Sequence, residues 1–79
     1  MVPMTVLVDE QPKCVVRPHD MKGLQRFLRN GKAWLLAGRP EGKVSFREAD
    51  DAERAIWRNA SDLHRAWGGD DEDFFGVPL

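Results

Sequence analysis

The chain is short of the features by which a sequence most often declares its chemistry. Its single cysteine, Cys14, cannot close an internal disulfide, which excludes a disulfide-stapled scaffold. Its longest apolar runs, around Val6 and around Leu35, fall far below the roughly 20 residues that span a bilayer, so membrane insertion is not expected. No basic, long apolar leader opens the sequence, and the expectation is a cytoplasmic protein. Neither CxxC nor HExxH spacing occurs, and no sequence repeat joins the two halves.

What is there suits an ordinary globular domain. Hydrophobic residues make up 42% of the 79 positions and charged residues 32%, which excludes a disordered or fibrous chain. A chain this small supports one core and buries only part of its unfolded surface, so a homodimer would add useful stability. Residues 1–68 read as the compact domain and residues 69–79 as an acidic-aromatic tail. The net charge of −1 conceals a division along the chain: residues 11–47 carry nine basic groups against two acids, and residues 48–79 three arginines against nine acids.

Met4 to Val8 is rich in β-branched residues, Asp9-Glu10-Gln11-Pro12 suits a turn, and Lys13 to Arg17 reads as the return strand of a hairpin. Asp20 caps a helix from Met21 to Asn30, with Met21, Leu24, Phe27 and Leu28 facing inward and Gly31 ending it. Residues 32–37 read as a third strand, paired through the Gly38 to Gly42 loop with a fourth at residues 43–47. The final helix places Ala49, Ala52, Ile56, Ala60, Leu63 and Trp67 at three- and four-residue steps, an arc expected to face the core. Asp50 and Glu53 form its capping box, and Asp51, Arg54, Arg58 and Asp62 are spaced for a ladder of ion pairs. The expected fold is α+β: ββαββα, an antiparallel four-stranded sheet with two helices packed on one face.

Residues capable of catalysis all have simpler readings. Cys14 suits a small core position, His64 the negative end of a helix dipole, and His19 lies just before a cap. The segment from Gly38 to Ser45 has the glycines, lysine and hydroxyl of a phosphate-binding loop. Its spacing is one residue short, however, and it leads into a strand where that mechanism needs a helix N-terminus. No catalytic residue, cofactor or metal ligand is assigned, and a non-enzymatic protein is expected.

Partner-binding candidates are clearer. Lys22, Arg26 and Arg29 form a basic stripe opposite the apolar face of the first helix. Trp57 lies about 100° around the last helix from Ile56, off the apolar arc. The tail joins acids, including Asp71 and Asp73, to the aromatic pair Phe74 and Phe75 and to an apolar end at Leu79, a composition suited to recognition by a basic groove with apolar pockets. Over residues 70–79 its style is similar to the acidic, proline-containing tips by which bacterial single-stranded DNA-binding proteins recruit partners. Here Phe74-Phe75-Gly76 intervenes, Leu79 replaces a terminal aromatic and the body does not read as their five-stranded barrel, so their function is not carried over.

The reading that follows is a small protein-binding module, an adaptor or inhibitor. By size and charge division it resembles the host-takeover and anti-defence proteins of phages and mobile elements. The alternative is a nucleic-acid-binding domain using the basic 11–47 region.

Overall fold

The computed structural model describes residues 2–68 and 76–79. Its elements run β1 (Met4–Val8), β2 (Gln11–Val16), α1 (Met21–Asn30), α2 (Lys32–Leu35), β3 (Val44–Glu48), α3 (Asp51–Ala66) and β4 (Gly76–Pro78). The expected α+β class with a four-stranded antiparallel sheet is present. Strand order is β3-β1-β2-β4, so the first hairpin occupies the centre of the sheet. Asp9 and Glu10 both adopt positive φ, which gives the tight two-residue turn that suits the right-handed twist of paired strands. Pro12, expected in the turn, instead sits within β2 opposite Leu7, beside a register shift.

Two elements differ from expectation, one for a local reason and one through a distant partner. Residues 32–35, read as a strand, form α2: Leu35 and Leu36 donate to the carbonyls of Gly31 and Lys32 at 2.8 and 2.9 Å. The run Ala33-Trp34-Leu35-Leu36-Ala37 contains no β-branched residue and is rich in good helix formers. There is accordingly no hairpin between it and β3, which pairs with β1 instead, from Met4 with Glu48 to Val8 with Val44. The fourth strand comes from the chain's last residues: β4 pairs with β2, matching Val15 with Val77 and Val16 with Gly76, and the Leu79 amide donates to the Lys13 carbonyl at 2.9 Å. Residues 76–78, assigned above to the tail, are thus part of the sheet.

The helices are divided between the two faces. Alternation sends Met4, Val6, Val8, Cys14 and Val16 to one side, where they close a core with Leu24 of α1 and Leu35 of α2; Phe27, Leu28, Leu36 and Val44 pack at its margin. Burial of each such side chain contributes about 1.5–3 kcal/mol. Thr5 and Val15, paired in register, point the other way and are also fully buried. That second face lies under α3, which contacts β2 and β4 and brings Glu53 to the Thr5 hydroxyl. Two buried faces need two covers, and so the expectation of both helices on one side does not describe this sheet.

Candidate interaction surface

The orientation of α3 about its own axis decides what the molecule presents. The helix opens with the expected capping box: the Glu53 amide donates to Asp50 Oδ1 at 2.8 Å, and the Asp50 amide to Glu53 Oε1 at 2.9 Å. Arg47, at the end of β3, then clamps the same carboxylate with two parallel bonds, Nη1 to Oε1 at 2.7 Å and Nη2 to Oε2 at 3.0 Å. The Arg47 hydrogen bond, opposed by desolvation and helped by the Asp50 amide, the Thr5 hydroxyl and the Arg47 charge, holds the Glu53 carboxyl down at about 2. The Thr5 hydroxyl faces this carboxylate without closing a short hydrogen bond to it. Arg47 in turn is held above its ordinary value, chiefly by the hydrogen bond to Glu53.

This clamp turns Glu53 inward and with it the positions on its side of the helix. Glu53 and Ser61 are buried, and Trp57, Ala60 and His64 are half-buried. The sheet-facing side is therefore centred near Trp57, about 100° from the apolar arc. Of the arc expected in the core, Ala49 is buried and Ala60 half-buried, while Ala52 is exposed and so are Ile56 at 44%, Leu63 at 62% and Trp67 at 89%. An apolar stripe of three large side chains thus runs along a flank of α3 and ends at Gly68, whose φ of +88° stops the helix.

The opposite flank is basic. Arg54 and Arg58, one turn apart, line an open cleft of about 500 Å³ with Arg17, Trp57, Val2 and Pro3. The Arg17 guanidinium lies 5.5 Å from the Trp57 ring centroid, and Arg54 Nε donates to the Ala49 carbonyl at 3.0 Å. The expected ion-pair ladder is not formed: Asp62 pairs with Arg65, and among the described residues neither Arg54 nor Arg58 makes an ion pair. Trp57, off the apolar arc of the helix, packs half-buried beneath Arg17 at the base of this cleft.

The other candidate residues are dispersed. Lys22, Arg26 and Arg29 are exposed on α1, on the face of the sheet away from Trp57. Lys22 and Arg26 border a groove with His19, Asp20, Phe27 and Asn30, which Arg29 does not enter. Leu79 is half exposed beyond β4. Asp71, Asp73, Phe74 and Phe75 lie outside the described residues. Cys14 is buried in the core, and desolvation, only partly offset by Lys13, pushes its thiol up to about 11. At neutral pH almost none of it is thiolate. Among the described residues no three His, Cys, Asp or Glu side chains converge to hold a metal ion, and no helix is long and apolar enough to cross a membrane.

Sequence reasoning missed the exposure of Ile56, Leu63 and Trp67 on one flank and the meeting of Arg17 with Arg54 and Arg58 on the other. Helical spacing grouped the first three but assigned them to the core. The spacing of Arg54, Trp57 and Arg58 was available as a signal for the second set. No family model, curated protein or solved structure matches the chain.

Proposed function

We propose that this protein is a non-enzymatic protein-binding module, an adaptor or inhibitor, that docks through the apolar flank of α3. One observation carries the reading: Ile56, Leu63 and Trp67 share a helix face and remain exposed, while the same helix turns Glu53 and Ser61 inward. Apolar groups placed outward at the expense of polar groups placed inward make sense when a second molecule covers them. The eleven-residue step from Ile56 to Trp67 covers about 16 Å of helix, the length of stripe that lies in an apolar groove on a partner. The reading keeps a cytoplasmic setting, which the free thiol of Cys14 favours. The raised Cys14 pKa supports a structural and not a nucleophilic role for that residue.

The test compares the full chain with Leu63→Asp and Trp67→Asp in affinity capture from the source cell, with circular dichroism as the control for folding. Wild-type protein is expected to retain a partner that both folded variants lose. Equal capture by all three would sink the proposal. A dimer on light scattering that both variants dissolve would reassign the flank to a second copy of the chain.

Nucleic-acid binding is the second reading, favoured by the exposure of Lys22, Arg26 and Arg29 along α1 with no ion pair to any described residue. It requires affinity for DNA or RNA that falls steeply as salt rises.

A further inference from the structure

We propose that the cleft between Arg17, Arg54, Arg58 and Trp57 is a binding site for the phosphate of a nucleotide unit, a site distinct from the apolar flank of α3. Three guanidinium groups, one from the chain just after β2 and two from α3, line a single cleft, and among the described residues no carboxylate shares that lining. Arg39 pairs with Asp9, Arg47 with Glu53 and Arg65 with Asp62, whereas Arg17, Arg54 and Arg58 pair with none of the described acids; Arg26 and Arg29 on α1 are also without such a pair, but they do not converge on one cleft with a third guanidinium. Like charges gathered in one place repel, and an anion between them removes that cost.

The cluster is also partly organised in advance. The Ala49 carbonyl fixes Arg54 through its Nε, and the Trp57 ring holds Arg17. Two of three long side chains therefore have less freedom left to lose when a ligand arrives. The guanidinium fork offers paired N–H groups at the spacing of phosphate oxygens, which makes phosphate the anion it recognises best. Val2, Pro3 and Trp57 supply an apolar wall beside the charges, suited to a flat base. A cleft of about 500 Å³ has the size of a small-ligand site.

Such a unit could be a free nucleotide or part of a strand, and the experiment separates them. The full chain is titrated at low salt with inorganic phosphate, a nucleoside 5′-monophosphate and a short single-stranded oligonucleotide, reading Tm and the Trp57 indole N–H resonance. The monophosphate is expected to raise Tm and move that resonance, with phosphate doing so only at higher concentration. Tighter binding of the oligonucleotide with a steep salt dependence identifies a strand as the source; equal affinity identifies the free nucleotide. Arg58→Gln and Arg17→Gln replace exposed side chains, so both should fold while binding at least tenfold more weakly. Lys22→Gln and Arg26→Gln, on the far face, should bind as wild type. Failure of every probe to move Trp57, wild-type affinity in the Arg58 and Arg17 variants, or equal loss in the α1 variants would each overturn the assignment.

Discussion

On one face of the sheet Met4, Val6, Val8, Cys14 and Val16 meet Leu24 and Leu35; on the other, Thr5 and Val15 lie under a helix whose buried side carries Glu53 and Ser61. The first face is held by area removed from water, which is strong but indifferent to orientation. The second is held by directed bonds, from Arg47 and Asp50 to one carboxylate, which set how the helix is turned. The difference shows how a small domain can spend part of its apolar surface outside the fold. One face supplies the stability, and the other fixes which residues of α3 remain outside.

The contrast can be broken most sharply on the apolar face. Leu24→Ala, at a site with no exposure, is expected to cost about 2–5 kcal/mol, enough to unfold much of a domain this small; urea denaturation measures it. On the polar face Glu53→Gln should cost about 1–3 kcal/mol by the same measurement, since Arg47 loses its charged partner. Its effect on pH dependence is the sharper test. The folded Glu53 carboxyl titrates near about 2 against an ordinary 4.5, so its contribution is complete above the higher value and is lost as pH falls toward the lower. Acid titrations of stability should therefore be flatter in Glu53→Gln across that window, and an unchanged acid limb would show that the clamp contributes little.

A smaller effect is expected at the sheet edge. A Cβ on Gly76 would lie 2.6 Å from the Val15 carbonyl oxygen, too close for strand pairing without movement. Gly76→Ala should release β4 at a cost of about 1 kcal/mol, visible as faster amide exchange at Leu79, whose N–H donates to Lys13. The smallest change is expected where the exposed apolar groups are largest. Trp67→Ser should leave the unfolding free energy from urea denaturation within about 0.5 kcal/mol of wild type. A large loss there would mean that Trp67 serves the fold.

Much of this architecture was legible, because it depends on neighbours in sequence. The central strands follow from β-branched runs, α1 from Asp20 and its apolar spacing, and the α3 start from Asp50 and Glu53. Most of the failures depend on partners distant in the chain; α2, closed by its own backbone bonds, does not. Five apolar residues from Ala33 are too few for periodicity to separate helix from strand. Gly76-Val77-Pro78 carries no strand signal of its own and becomes one only against β2. Periodicity grouped Ile56, Leu63 and Trp67 correctly, but it cannot say whether a stripe faces in or out. Here that depended on Arg47 and Thr5, contributed by other strands. The basic cleft likewise needed the fold to bring Arg17 to Arg54 and Arg58.

The two-residue turn between β1 and β2 has a consequence for the order of folding. Pairing these strands closes the shortest loop in the sheet, whereas β3 must return to β1 across both α1 and α2, and β4 must return to β2 across everything from Arg17 onward. Since the entropy lost in closing a loop rises with its length, the sheet is expected to grow outward from its central hairpin, with the edge strands added afterwards. Substitutions in the hairpin should then slow refolding, while those in β4 should chiefly hasten unfolding.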